Sequence, residues 1–219
     1  MKFLAEQTNN LEVLTEAAAE EGKEPEYYIE GVFLQSEIKN RNGRIYPREV
    51  MEKAVEVYKR DYVDKMRAYG EWEHPLNLNI NLDRISHLIT DIYQDPNDNR
   101  LWRAKAKLLD TPCGRIAKAI LKEGGHLGVS SRAGGSVVRK NGADIVQSDF
   151  RLVTAGDLVF LSSAQTAENV SLLVESAQEW DWDEKNQQFI PKQGLTEQEK
   201  TEAQLSCFKK LLEQLTAAK

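Results

Sequence analysis

The segment Gly128-Val129-Ser130-Ser131-Arg132-Ala133-Gly134-Gly135 places two adjacent serines on a β-like run that ends in glycines. A serine hydroxyl is a poor nucleophile until an imidazole takes its proton and a third group holds that imidazole. Two other short runs carry what is missing. Gly70-Glu71-Trp72-Glu73-His74-Pro75 supplies an imidazole upstream, and Gly156-Asp157 supplies a carboxylate downstream. With Ser130 as nucleophile, His74 as base and Asp157 as the orienting acid, the chemistry is acyl transfer. Backbone N–H groups of a glycine turn after Ser130 would face the developing oxyanion.

Each of these residues also has a plainer role. Ser130 could simply bond to backbone in a strand that precedes an ordinary glycine turn. His74 could be a surface histidine held extended by Pro75. Asp157 could cap a strand, and Asp149 competes with it for the third position. His87 lies in an alternating run and is expected to be structural, and His126 follows Gly124-Gly125 in a turn. His74, His87, His126 and Cys113 lack metal-ligand spacing, so neither metal nor cofactor is expected.

The elements that must position these groups follow from periodicity. Residues 27–38 alternate and are rich in bulky side chains, which predicts a strand, and Asn40 to Gly43 predicts a turn. Pro47 opens a helix to about residue 66, with Val50, Met51, Ala54, Val55, Val57, Tyr58 and Tyr62 on its apolar side. Residues 85–93 and 101–109 read as strands flanking a turn at Asp95 to Asp98. Thr111 N-caps a helix that Gly124-Gly125 stops. Three β-like segments follow, at 127–138, 145–153 and 157–162. Residues 1–26 are rich in Glu and Ala and read as a marginal helix or tail. Near the other end, Thr196 to Glu199 forms a capping box ahead of a stripe of Leu205, Phe208, Leu211, Leu212 and Leu215, a core or self-association surface. Many strands with two interposed helices predict an α+β barrel or sheet.

With 219 residues the chain can bury one sizeable core. A net charge of −6 argues against general affinity for nucleic acid. Cys113 and Cys207 are too far apart to frame a disulfide scaffold, which suits a reducing compartment. The first residues reach Glu6 before an apolar run develops, so neither secretion nor membrane insertion is expected.

Four blocks carry a resemblance: Tyr28 through Pro47, Gly70 through Pro75, Gly128 through Arg132, and Phe150 through Asp157. Together they resemble, in order and over about residues 27–165, the prohead core proteases of T-even-type bacteriophages, a family related to the herpesvirus assemblin-like serine proteases. The resemblance implies a mostly antiparallel β-barrel ringed by helices. It implies an N-terminal tail or propeptide at 1–26, a protease domain at 27–165, and a polar linker with an amphipathic helix at 166–219 that self-cleavage would remove. By position, His74 and Ser130 match the family's histidine and nucleophile, with Asp157 ahead of Asp149 as third member. Arg132, Gly134 and Gly135 are then candidates for the oxyanion and substrate site.

The family cuts after Glu in a Leu/Ile-x-Glu pattern and processes itself. Here that pattern ends at Glu6, Glu16, Glu123, Glu175, Glu197 and Glu213, of which only Glu123 lies inside the matched region. The expected trimming points are therefore Glu6, Glu16, Glu175, Glu197 and Glu213. Arg41, Arg44, Arg48, Arg132 and Arg139 are candidate cations for a Glu pocket. The implied substrates are scaffold or core proteins and the major capsid protein, inside an immature head in the host cytoplasm. No direct nucleic-acid or membrane partner is implied, and a homo-oligomer is compatible. A rival reading from another class is a non-catalytic capsid-core or tube-like assembly protein with the same barrel.

Overall fold

The computed structural model describes residues 2–8, 11–16, 26–40, 42–159 and 180–191. In chain order its strands begin with β1 (Lys2–Thr8), β2 (Leu11–Glu16), β3 (Glu26–Gln35) and β4 (Arg44–Ile45). Helix α1 (Arg48–Tyr58) follows and runs into a π-helical turn, Lys59–Val63. Then come β5 (Tyr69–Glu71), β6 (Ile85–Gln94), β7 (Leu101–Leu108) and helix α2 (Pro112–Lys122). The chain continues through β8 (Gly128–Gly135), β9 (Val137–Lys140), β10 (Ala143–Val146) and β11 (Arg151–Val159), with a final hairpin of β12 (Trp180–Asp183) and β13 (Gln188–Pro191).

Strict alternation in β7 buries Trp102, Ala104, Ala106 and Leu108 and turns Arg103, Lys105 and Lys107 away from the core. This strand is central in an antiparallel sheet of order β2-β3-β7-β6-β5. A second antiparallel sheet, β1-β8-β11, carries the two serines and Asp157. Every residue of β8 is buried, as is all of β11 after Arg151, so both faces are covered. The main core lies among Ile29, Phe33 and Ile89 of the larger sheet, Val129 and Leu158 of the smaller one, and Met51 and Tyr58 of α1. A satellite core joins Leu78 and Val153 to Trp180 and Phe189 of the final hairpin.

The two sheets meet at one corner. Trp72 bridges Leu158 in parallel, and Glu73 N–H donates to the Leu158 carbonyl at 2.7 Å. At the opposite rim the described strands do not pair, so the expected closed barrel is not found. The architecture is α+β, rich in strands with few helices. No described helix is long and apolar enough to cross a membrane.

Several sequence expectations are corrected. The described parts of 1–26 are strands, because β8 and β3 each offer an open edge and pairing overrides weak helical preference. The glycines after Ser130 continue β8 through Gly135 rather than forming a turn. The expected strand at 145–153 is broken by a turn over Gln147 to Phe150, where Phe150 N–H donates to the Gln147 carbonyl. Residues 180–191, expected as polar linker, fold as a hairpin against Leu78 and Val153. The closing helix lies outside the described residues.

Candidate active site

Ser130 stands directly opposite Asp157 in the β8–β11 ladder. Directly opposed residues project to the same face of a sheet, within reach of each other. This pairing depends on an irregularity: Arg132 opposes Thr154, yet two residues back along β8, Ser130 opposes a residue three further along β11. The extra residue is a β-bulge, and it turns Asp157 to the face shared by Ser130 and Arg132. Gly156 within the bulge packs so close to Phe33 that an added Cβ would lie 2.9 Å from its ring.

His74 arrives from the other sheet. The chain leaves β5 along β11, with Glu71 N–H donating to Asp157 Oδ1 at 2.9 Å and Glu73 N–H donating to Leu158 O. Glu73 takes a left-handed backbone conformation, φ 61°, one residue before His74. That turn brings His74 Nδ1 to 3.1 Å from Asp157 Oδ2. The imidazole is 19% exposed, while Asp157 is fully buried. Ser130 Oγ is buried and has no hydrogen-bond partner among the described residues. A buried hydroxyl without a partner costs desolvation free energy, and such groups are found at catalytic sites.

Around Asp157 lies a buried charge cluster that sequence reasoning missed in part. Arg132 is fully buried; its Nε lies 3.1 Å from Asp157 Oδ2 and its Nη2 3.4 Å from Oδ1. The same Nη2 donates to Glu71 Oε1 at 2.7 Å, and Nη1 donates to the Asn77 carbonyl at 2.7 Å. Glu71 is also fully buried and accepts from Asn81 N–H at 2.8 Å. Arg84 closes the cluster, 3.7 Å from Glu71 Oε2 and 3.5 Å from Glu73 Oε2. Glu71 sits inside the same block as His74, so its place in the block was the available signal.

His87 supports the cluster from behind. It is fully buried, its Nε2 meets the Gly156 carbonyl at 3.0 Å and its Nδ1 meets Ser86 Oγ at 2.9 Å. Burial pushes its pKa down from 6.5 to about 4, against smaller raising effects from Asp157 and the Gly156 carbonyl. The ring is therefore neutral at pH 7, with Nε2 carrying the proton it donates to Gly156. Gly70 must be glycine here, since a Cβ would collide with both the His87 ring and the Gly156 carbonyl.

The remaining candidates are placed as follows. Asp149 accepts from Ser136 N–H at 3.0 Å and Ser136 Oγ at 2.9 Å, a turn contact. Gly134 packs against Phe189, and Gly135 ends β8 opposite Lys2. Glu6 lies in β1 opposite Ser131, Glu16 in β2 opposite Glu26, and Glu123 at the end of α2. Arg44 is buried, Arg48 pairs with Glu52 at 2.8 Å, and Arg139 pairs with Asp144 at 3.1 Å. His126 is exposed. Arg41, Glu175, Glu197 and Glu213 lie outside the described residues. Among the described residues no three metal-ligating side chains converge.

Asp157 thus stands opposite the Ser130 hydroxyl on one strand pair and holds the His74 imidazole from the segment after β5, groups of the kind that carry acyl transfer. The family model for the prohead core protein serine protease matches residues 5–178. The prohead core protein protease of Enterobacteria phage T4 is 37% identical over 147 residues, spanning 67% of this chain and 69% of the relative. The solved structure of the bacteriophage T4 capsid assembly protease superposes with a TM-score of 0.67 at 31% identity, covering 73% of this chain and 98% of that one. The chain thus belongs to the prohead core protein serine protease family.

Proposed function

We propose that this protein is the serine endopeptidase of phage head maturation, with Ser130 as nucleophile, His74 as base and Asp157 as orienting acid. The observation that carries the reading is the alignment of Ser130 with Asp157 across one ladder while Asp157 Oδ2 holds His74 Nδ1. With Nδ1–H held by Asp157, the other ring nitrogen is the base. Ser130 Oγ attacks the scissile carbonyl carbon, and its proton passes to His74 Nε2. The C–N bond then breaks and the leaving amine takes that proton. Water, deprotonated by His74, releases the acyl group and restores Ser130.

The substrate we infer is an extended peptide added to β8. That strand has β11 on one side and β1 on the other, so without β1 its N–H and C=O groups face outward as an open edge. The N–H groups on that edge are our candidates for holding peptide and oxyanion. Arg132, with its guanidinium engaged by Glu71, Asp157 and Asn77, is assigned a place behind the carboxylate.

β1 itself supports self-processing. It contains Leu4-Ala5-Glu6, the family's cleavage pattern, and its register sets Glu6 and Gln7 opposite Ser131 and Ser130. On this reading β1 keeps the chain latent, and a first cut after Glu6 clears the edge. Scaffold or core proteins and the capsid protein inside the immature head are the proposed later substrates, in keeping with the relative described as a capsid assembly protease.

Ser130→Ala tests the reading directly. Cleavage of a Leu-x-Glu peptide and appearance of a new N-terminus at Gln7 should both vanish, and retained turnover would remove Ser130 as nucleophile.

A further inference from the structure

Asp157 is asked to stabilise an imidazolium, yet a guanidinium lies against both its oxygens. Arg132 Nε is 3.1 Å from Oδ2, the oxygen that also meets His74, and Nη2 is 3.4 Å from Oδ1. Arg132 and Asp157 are both fully buried, while the His74 imidazole is partly exposed. A buried arginine in that position would by itself cancel the carboxylate and leave His74 facing no net charge. The attraction that makes an imidazole a strong base beside a carboxylate would be lost.

Glu71 changes that balance. Its fully buried carboxylate takes the shortest contact Arg132 makes with an acid, 2.7 Å against 3.1 Å and 3.4 Å to Asp157. Its own backbone N–H fixes Asp157 Oδ1. The other charged groups nearby do not upset this arrangement. Arg84 is shared by Glu71 and the exposed Glu73. His87, from β6, is neutral, and Tyr58, from α1, is held in its protonated form by burial.

We propose that Glu71 is a positioning residue that acts through Arg132: by neutralising the guanidinium, it leaves the Glu71–Arg132–Asp157 cluster with one net negative charge for His74. The assignment rests on the proposed roles of His74 and Ser130. Its consequence is directional. Removing the Glu71 charge leaves Arg132 uncompensated, which disfavours the imidazolium. Removing the Arg132 charge leaves two carboxylates, which favours it.

The experiment is the pH profile of kcat/KM for a Leu-x-Glu peptide with the full-length chain. Activity requires neutral His74, so it rises with pH along an acid limb. In Glu71→Gln that limb moves to lower pH by about one unit, and the plateau kcat falls about tenfold or more. In Arg132→Gln the limb moves the opposite way. Arg84→Gln, at a side chain one-third exposed, serves as a milder variant and moves the limb to higher pH by a smaller amount. The same displacements are read without turnover by NMR titration of the His74 ring in the Ser130→Ala background.

Loss of activity in Glu71→Gln and Arg132→Gln with an unmoved acid limb, or with both limbs moving the same way, would overturn the role of Glu71. So would an unmoved limb in Arg84→Gln if Glu71→Gln does not fold. Undiminished turnover by Ser130→Ala would instead remove the underlying reading, and this inference with it.

Discussion

Asp157 faces Ser130 only because β11 carries one more residue than β8 between this pair and the Thr154–Arg132 pair. The bulge links sheet geometry to chemistry. Side chains alternate along a strand, so without the extra residue Asp157 would project to the opposite face. Deleting Ala155 is therefore expected to abolish peptidase activity while far-UV circular dichroism keeps its strand signal. Activity in that variant would detach the bulge from the site.

The contact between His74 and Asp157 predicts a large kinetic effect from a small change. Asp157→Asn keeps the shape but removes the charge and leaves the imidazole tautomer unspecified, and kcat should fall by roughly 10³–10⁴. Single-turnover cleavage of a peptide substrate measures it, with thermal melting as the control for folding.

Gly70→Ala tests the seam between the two sheets. The added methyl collides with the His87 ring and with the Gly156 carbonyl, and backbone cannot yield as a flexible side chain would. We expect a loss of about 1–3 kcal/mol in urea unfolding, with activity reduced because β5 leads directly to His74. Unchanged stability would mean that the seam has slack.

His87 predicts an acid-sensitive fold. Its pKa is about 4 when folded against 6.5 for an unperturbed histidine, so between those values the unfolded chain binds the extra proton. The stabilisation from keeping it neutral is complete above about pH 6.5 and declines as pH falls towards 4, by about 3 kcal/mol in all. Denaturant unfolding at pH 7, 6, 5 and 4 should show this slope. His87→Gln, which retains a donor for Gly156, should flatten it.

Processing at the N-terminus is checked by intact mass. The wild-type chain should lose residues 1–6, and Glu6→Gln should retain them under the same incubation. A wild-type chain that stays whole while cutting an added peptide would argue that β1 does not block the edge.

Much of this was written in the sequence, and the exceptions have physical causes. Leu101–Leu108 was legible because one of its faces is charged and the alternation is unmistakable. β8 and β11 are buried on both faces, so no alternation marked their limits, and the glycines at the end of β8 passed for a turn. The hairpin between β9 and β10 turns on Asn141 and Gly142, at φ 51° and 76°, a signal that was present and unread. His74, Ser130 and Asp157 were singled out through the blocks that resemble the family, since each residue by itself has a plainer reading. Glu71 shares the block of His74, but its burial shows only through the arginine that meets it. The strand at Lys2–Thr8 was hidden because pairing, rather than its own composition, makes it a strand.

That strand has a cost once it is gone. β8 is made of small, fully buried residues, with Arg132 turned inward, so its freed border would carry no exposed charge to repel another chain. Under the proposed function, the trimmed enzyme is therefore prone to clump when starved and is kept soluble by a steady supply of cargo. A closed shell packed with protein to digest provides such a supply.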